Sequence, residues 1–320
     1  MSEATAGQAS RRMRVVAKSD IADGVVALRL VDADGGAVPT WEPGAHIDLE
    51  LESDLVRQYS LCGDRADTGS LMVAVLREAS GRGGSIYVHD KLEEGDLLEV
   101  GGPRNRFALI DAPSYLFVAG GIGITPLLPM LRQVERRGVA WRLLYGGRTR
   151  PGMAFADELV AAHPGEVDIR PQDEFGLLDI AGALDAAGEG VAVYCCGPEP
   201  LLLAVEAAGR ERGLDVHVER FAPKAVAEDA VDAAFDVELS RTGTTVEVGA
   251  SETIIDALER AGVSVEFSCR EGTCGTCEVA VLGGEPDHRD SVLTDEEQAA
   301  GDAMMICVSR CRGSKLVLDL

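Results

Sequence analysis

The chain has little positive charge: 30 lysine and arginine residues stand against 54 aspartate and glutamate residues, giving a formal net charge of −24. Nucleic-acid binding requires a basic surface, so that class of function is disfavoured. No apolar run reaches the length needed to cross a bilayer, which argues against a membrane protein. Residues 1–14 are polar and lack the apolar core of a secretory signal. We therefore expect a cytoplasmic protein.

Motifs that would activate oxygen are also missing from the sequence. We find no Rieske Cys-x-His pair, no haem-ligand motif and no facial triad of metal ligands. A second Cys-x2-Cys pair, which structural zinc sites usually contain, is absent as well. These absences exclude an oxygenase in its own right and make a structural zinc site a poor interpretation of the cysteines.

Four of the eight cysteines form one pattern near the C-terminus. The pattern is Cys-x4-Cys-x2-Cys-x29-Cys, which is the ligand spacing of a plant-type [2Fe–2S] ferredoxin. A disulfide knot would need an oxidising compartment, which nothing in the N-terminal segment suggests. Cys311 has no place in the pattern. The predicted metal ligands are Cys269, Cys274, Cys277 and Cys307.

The length of 320 residues, with 46% apolar and 26% charged residues, is typical of a globular protein with two or three domains. Between residues 14 and 110, short alternating apolar and polar runs are separated by turn residues, which predicts an antiparallel barrel. From residue 115, buried strands alternate with helices at 126–137 and 200–212, which predicts a parallel α/β sheet. The predicted domains are a barrel at 1–110, an α/β domain at 111–225, a linker at 226–232 and a ferredoxin domain at 233–320.

The ferredoxin-like part is strongly acidic. From residue 231 to the C-terminus there are 18 acidic and 7 basic side chains, a net charge of −11. An acidic face on an electron carrier steers it toward a basic patch on a partner. The alternative interpretation is that the charge serves only solubility.

Two segments of the α/β part suit a nucleotide. Residues 119–126 read Ala-Gly-Gly-Ile-Gly-Ile-Thr-Pro, a glycine-rich turn between a buried strand and a helix. Such a turn lets the backbone approach a pyrophosphate, although alone it is weak support for a dinucleotide. A second strand ends at residues 194–198, Tyr-Cys-Cys-Gly-Pro, in the same domain, where ligands of open α/β sheets bind.

A third motif lies in the barrel, where residues 57–61 read Arg-Gln-Tyr-Ser-Leu and residues 81–85 read Gly-Arg-Gly-Gly-Ser. An arginine can clamp a phosphate, a tyrosine can stack on a flat ring, and a hydroxyl can reach a ring nitrogen. The glycine run is suited to cradle a phosphate at the start of a short helix. Either segment alone would be interpreted as an ordinary strand or turn.

Together these motifs resemble the phthalate dioxygenase reductase family, whose members include the reductases of vanillate O-demethylase systems. The resemblance covers nearly the whole chain, in the order flavin barrel, nicotinamide domain and ferredoxin. It implies a multi-domain fold with an antiparallel flavin-binding β-barrel, a parallel α/β nucleotide-binding domain and a β-grasp-type α+β ferredoxin domain.

The resemblance also implies roles for individual residues. Ser60 would lie near flavin N5, and Thr125 and Cys196 near the nicotinamide; these three are the predicted catalytic residues. The doubled Cys195-Cys196 leaves open which thiol faces the nicotinamide. The predicted cofactor-binding residues are Arg57, Tyr59, Ser60, Arg82, Gly83, Gly84, Ser85, Gly120, Gly121, Gly123, Thr125, Pro126, Arg148, Cys196, Gly197, Pro198 and Phe221.

The predicted cofactors are a flavin, a pyridine nucleotide and a [2Fe–2S] cluster. The family uses FMN, whereas related plant-type reductases use FAD, and the residues alone do not distinguish the two. Arg148 and Arg150 follow the second α/β strand without an acid, which by itself favours NADPH. Family members commonly carry an arginine there and use NADH, so NADH is the prediction and NADPH the alternative.

The implied activity is that of a reductase in an oxygenase system. Electrons would pass from NADH through FMN and the cluster to a terminal oxygenase, either Rieske-type or a cytochrome P450. A monomer is expected. The alternative is a non-catalytic electron-transfer subunit of a larger complex, but the intact glycine-rich and Cys-Gly-Pro motifs argue against it.

Overall fold

The structure is a computed structural model, and it describes residues 10–52, 55–223 and 232–320. The chain divides into two compact units, Met1–Glu219 and Arg220–Leu320. Each unit has its own hydrophobic core, so each is described separately.

The first part of the first unit is a six-stranded sheet in which all neighbouring strands are antiparallel, in the order β4-β3-β6-β1-β2-β5. A bridge between Leu61 and Val73 links the two ends of this order and closes the sheet into a barrel. Alternate side chains point inward, which explains the alternating sequence pattern. The elements are β1 (Arg11–Ala22), β2 (Val25–Asp32), β3 (Ala45–Glu50), β4 (Val56–Ser60), β5 (Leu71–Leu76), α1 (Gly84–Asp90) and β6 (Leu97–Asn105).

The second part of the first unit is a five-stranded parallel sheet in the order β11-β10-β7-β8-β9. The strands that follow β7 in the sequence lie on both sides of it in the sheet. The carboxyl end of β7 is therefore the topological switch point, where such sheets bind ligands. The elements are β7 (Ser114–Gly120), α2 (Ile124–Arg136), β8 (Ala140–Gly147), α3 (Ala156–Ala162), β9 (Val167–Pro171), α4 (Gln172–Phe175), α5 (Ile180–Ala187), β10 (Val191–Cys196), α6 (Glu199–Arg212) and β11 (Asp215–Glu219).

Helix α2 begins at Ile124, two residues earlier than the sequence predicts. A 3-10 turn over Gly121–Gly123 leads directly into the helix. Pro126 therefore occupies the first helical turn, where a missing N–H is tolerated.

The second unit contains a mixed sheet in the order β13-β12-β18-β14-β16, in which only β12 and β18 are parallel. The two helices that the structure describes in this unit each begin with a capping box, formed by Thr253 for α7 and Thr294 for α8. The elements are β12 (Phe235–Leu239), β13 (Thr244–Val248), α7 (Ile254–Arg260), β14 (Glu278–Gly283), β15 (Pro286–Asp287), α8 (Asp295–Ala300), β16 (Ala303–Met305), β17 (Arg310–Cys311) and β18 (Lys315–Leu318).

The predicted fold class is confirmed: an antiparallel barrel, a parallel α/β sheet and a C-terminal α+β part follow one another along the chain. The predicted domain limits at 110, 225 and 232 stay predictions. Except for Asp232, the predicted linker 226–232 lies outside the described residues.

Candidate functional site

The barrel motif brings an arginine against the glycine turn at the start of α1. Arg57, on the edge strand β4, donates hydrogen bonds to the carbonyl oxygens of Val56 and Arg82, each at 2.7 Å. A Cβ added at Gly84 would lie only 2.3 Å from Arg57 Cγ, so glycine is required for this approach. The two segments predicted to bind one phosphate therefore lie together.

Two other residues of the motif are placed differently. Tyr59 is largely buried, and burial raises its pKa to about 12 while Arg57 opposes the rise. The Ser85 hydroxyl accepts the backbone N–H of Glu78 at 3.0 Å, so it stabilises the preceding turn. Its predicted contact with a cofactor stays a prediction.

Ser60 lies at the end of β4 and hydrogen-bonds to the carboxyl group of Glu219, the last residue of β11. Glu219 is half-buried as a residue, its Oε2 atom is enclosed and has no hydrogen-bond partner, and burial of the carboxyl raises its pKa to about 8. The hydrogen bond from Ser60 opposes the rise but does not cancel it. Glu219 was not predicted as a site residue from the sequence, although it lies two residues before Phe221, a predicted cofactor-binding residue.

Cys196 is the strand neighbour of both Glu219 on β11 and Ala119 on β7. Burial raises the pKa of the Cys196 thiol well above its ordinary value, and the Glu219 carboxyl adds to the shift. Cys195 points to the opposite face of the sheet and packs with Ile180 and Leu202. Cys196, rather than Cys195, therefore lies on the side of Glu219 and Ser60.

The glycine-rich turn packs directly on the Cys-Gly-Pro strand end. A Cβ at Gly123 would lie 2.2 Å from the Cys196 carbonyl oxygen, and one at Gly120 would lie 2.6 Å from Pro198 Cδ. In contrast, Gly121 has φ +56° and no atom within 4 Å of an added Cβ, so it borders open space. The Thr125 hydroxyl is buried and donates to Ile122 O at 2.9 Å within its own turn.

The two arginines after β8 have different surroundings. Arg150 forms an ion pair with Asp157 of α3, with Nε at 3.2 Å and Nη2 at 2.5 Å. Arg148 is exposed, and its carbonyl oxygen accepts the backbone N–H of Asp173 from α4 at 3.2 Å. Phe221 belongs to the second unit and is exposed, and its predicted approach to the flavin stays a prediction.

In the second unit the four patterned cysteines are gathered and buried. The Cys269 thiol contacts those of Cys274 and Cys307, and Cys277 also contacts Cys307. Backbone N–H groups point at the sulfur atoms, from Glu271 to Cys269 and from Thr276 to Cys274, each at 3.3 Å. N–H donors stabilise thiolates, so these residues fit an anionic iron–sulfur cluster.

Within residues 10–52, 55–223 and 232–320, no three histidine, cysteine or acidic side chains converge on a point suited to a single metal ion. A [2Fe–2S] cluster shares four cysteines between two irons, so convergence on one point is not required.

Arg270 joins the cysteine loop to helix α7. It has a left-handed backbone at φ +55°, and its guanidinium pairs with Asp256 at 2.7 Å and with Glu259 at 2.9 Å. The guanidinium also lies over the Phe267 ring, 4.1 Å from its centroid. These contacts hold the residue that follows the first predicted ligand.

Comparison with known proteins agrees with this arrangement. The family model for the 2Fe-2S iron-sulfur cluster binding domain matches residues 237–312. The chain is 46% identical to the phenoxybenzoate dioxygenase subunit beta of Ectopseudomonas oleovorans, covering 99% of each chain. It is 39% identical to the phthalate dioxygenase reductase of Burkholderia cepacia, covering 97% of each.

A solved structure of an intact type IV self-sufficient cytochrome P450 monooxygenase also matches, with 44% identity and a TM-score of 0.90. That match covers 97% of this chain and 41% of the monooxygenase. The likeness therefore concerns one part of a larger protein.

The fold and the two groups of residues define an oxidoreductase that uses a flavin, a pyridine nucleotide and a [2Fe–2S] cluster. The chain belongs to the phthalate dioxygenase reductase family, and it is the reductase of an oxygenase system. Among the described residues, no helix has both the length and the apolar character needed to span a bilayer.

Proposed function

We propose that this chain passes electrons from NADH through FMN and a [2Fe–2S] cluster to a separate terminal oxygenase, either Rieske-type or a cytochrome P450. Two groups of side chains carry the proposal: four buried thiols in one unit, and the buried Ser60 and Cys196 next to Glu219 in the other. A bound flavin would supply the conversion between two-electron hydride transfer from the nucleotide and one-electron transfer to the cluster.

The chain's own residues would bind and orient these groups. Arg57 would offer positive charge, and the Gly83–Gly84 turn at the start of α1 would offer backbone N–H groups, to the flavin phosphate. FMN, with one phosphate, is the flavin that the family resemblance favours. Gly121, which borders open space, leaves room for the nucleotide pyrophosphate beside the glycine turn.

Glu219 would hold a proton at the reacting edge of the flavin. Its raised pKa of about 8 leaves it mainly protonated at neutral pH. The Ser60 hydroxyl is oriented by this carboxyl group, and the Cys196 thiol stays neutral because of its burial. A neutral, water-poor environment of this kind suits the transfer of hydride rather than of free protons.

NADH is the proposed electron donor. A 2′-phosphate on NADPH would need an available cation, but Arg150 is already paired with Asp157. Asp173 and Glu174 at the start of α4 add negative charge next to the Arg148 loop. Steady-state kinetics with both nucleotides would test the proposal, and an equal or higher kcat/KM for NADPH would contradict it.

The proposed activity is tested by reducing ferricyanide with NADH and the isolated chain. Ferricyanide reduction is expected, and its absence despite NADH binding would instead indicate a non-catalytic electron-transfer subunit. The acceptor is tested by reconstitution with a Rieske oxygenase or a cytochrome P450 from the same source. The relatives that are named as components of dioxygenases support a Rieske oxygenase as the acceptor. The cytochrome P450 monooxygenase, part of which matches this chain, supports a cytochrome P450.

A further inference from the structure

The loop that carries the first three cluster ligands is held differently at its two ends. Near its C-terminal end, Cys277 precedes strand β14, and its carbonyl oxygen accepts the N–H of Ile306 at 3.2 Å, next to Cys307. Sheet pairing between β14 and β16 thus joins these two ligands. The half of the loop with Cys269 and Cys274 precedes the strand, so contacts other than sheet pairing fix it, among them the ion pairs of Arg270 with α7.

Asp290 and Ser291, between β15 and α8, supply such a contact. The Ser291 N–H donates to the carbonyl oxygen of Gly272 at 2.8 Å, in the middle of the first ligand interval. Gly272 has φ +70°, and an added Cβ would lie 3.0 Å from Asp290 Cα and 2.6 Å from Val308 Cγ2. The loop, the Asp290–Ser291 segment and the residue after Cys307 are therefore in close packing.

The Asp290 side chain fixes the conformation of this segment. It is completely buried, and its Oδ2 atom accepts the N–H groups of Val292 at 3.0 Å and Leu293 at 2.8 Å. Its Oδ1 atom accepts the Ser309 hydroxyl at 3.4 Å, and Ser309 lies two residues after Cys307. A buried carboxylate is tolerated only when hydrogen bonds replace its water, so this geometry is strongly specified.

We propose that Asp290 is a positioning residue for the cluster. Through Ser291 it holds the half of the loop with Cys269 and Cys274, and through Ser309 it holds the turn after Cys307. The carboxylate thus links ligands that are far apart in the sequence. Residues of this kind set the orientation of metal ligands and of the donors around them, which govern metal retention and redox potential.

The test compares Asp290→Ala and Asp290→Asn with Asp302→Ala, an exposed aspartate of the same unit, in the full-length holoprotein. Asp290→Ala should lose cluster absorbance in a chelator about ten- to a hundredfold faster than the wild type, the range expected for lost charge-assisted hydrogen bonds. The EPR g-values and the midpoint potential of the remaining cluster should also shift. Asp290→Asn keeps an acceptor for the two N–H groups. Its rate of cluster loss, EPR g-values and midpoint potential should therefore lie between those of Asp290→Ala and the wild type.

A purely structural role would lower the melting temperature but leave the EPR spectrum and the potential of the folded protein unchanged. If Asp290→Ala does not fold, Asp290→Asn and Ser309→Ala test the positioning role instead. The measurements are again the rate of cluster loss in a chelator, the EPR g-values and the midpoint potential. Wild-type spectra and release rates in both of these variants would overturn the proposal, as would an equal effect of Asp302→Ala. A wild-type protein without a cluster would instead contradict the cofactor assignment itself.

Discussion

At the scale of single residues, Glu219 is the side chain whose surroundings change its chemistry most clearly. It is the last residue of the parallel strand β11. Its side chain contacts Ser60 of the barrel, and its neighbour on the adjacent strand is Cys196. A carboxyl group with a pKa of about 8 is neutral under conditions in which an exposed glutamate is charged. This carboxyl group therefore adds little negative charge next to Ser60 and Cys196 at neutral pH.

The first prediction concerns the pH dependence that follows from this pKa. The pKa of Glu219 is raised on folding from 4.5 to about 8, so proton binding stabilises the folded state fully below pH 4.5, and this stabilisation is lost as the pH rises through 8. Glu219→Gln removes the titration. As the pH rises between these two values, the melting temperature of the wild type should therefore fall relative to that of the variant.

Glu158→Gln, at an exposed position of α3, is the control and should change the melting curves equally at every pH. A constant difference between Glu219→Gln and the wild type across the same range would show that the carboxyl is not held neutral.

The second prediction concerns flavin retention by Arg57. Arg57→Ala removes a cation from the glycine turn of α1, and loss of a charge-assisted contact is worth about 1.5–3 kcal/mol, or roughly ten- to a hundredfold in affinity. Flavin should be lost during gel filtration while the visible absorption of the cluster remains. Arg77→Ala, which removes an exposed arginine paired with Asp90, should keep its flavin. Stoichiometric flavin in the Arg57→Ala protein after dilution would rule out this role.

At the scale of elements, the turn between β7 and α2 depends on its contact with the end of β10. Gly123→Ala would place a methyl carbon 2.2 Å from the Cys196 carbonyl oxygen, so the turn must move away from the strand. We expect a loss of about 1–3 kcal/mol in the free energy of unfolding and a higher KM for NADH. Denaturant titration and steady-state kinetics measure the two effects.

Gly165→Ala is the matched control for this turn, because an added Cβ there has no atom within 4 Å and the backbone φ is ordinary. It should leave both quantities nearly unchanged. If Gly123→Ala keeps the wild-type KM for NADH, the turn does not contribute to nucleotide binding.

The cysteine loop supports a prediction that separates the two redox centres. Cys274→Ser removes one predicted cluster ligand, so the EPR signal of the reduced cluster should disappear while NADH still reduces the flavin. Cys311→Ser, outside the ligand pattern, should retain the signal. If Cys274→Ser still reduces cytochrome c at the wild-type rate, the flavin delivers electrons directly and the proposed electron path is wrong.

Much of this arrangement can be predicted from local sequence. The glycine turn, the Arg-x-Tyr-Ser strand and the ligand spacing each depend on residues close together in the chain, so their elements appear where the pattern indicates. The contact between Ser60 and Glu219 joins two different sheets, and no local pattern reports it. The Arg150–Asp157 pair and the turn in which Thr125 donates to Ile122 likewise depend on the final backbone path.

At the scale of the whole molecule, the negative charge is densest in the second part of the chain, which is expected to favour association with a basic partner. The second part of the chain has a net charge of −11 from residue 231 onward, before any cluster is added. Raising the ionic strength from about 0.01 M to 0.15 M shortens the Debye length from roughly 30 Å to 8 Å. Electron transfer to a basic acceptor such as cytochrome c should therefore slow severalfold.

The rate of flavin reduction by NADH, measured by stopped flow in the same buffers, is the internal control and should change little. An acceptor rate that does not depend on salt would favour the alternative that the acidic surface serves only solubility.

All four predicted cluster ligands, together with the N–H donors that point at Cys269 and Cys274, lie within the second compact unit. The residues proposed to hold the flavin phosphate lie within the first. Maturation of the two centres is therefore expected to be independent, so a cell short of iron would accumulate protein with flavin but no cluster. Such protein would oxidise NADH without serving its oxygenase, and iron supply would set the productive fraction of the enzyme.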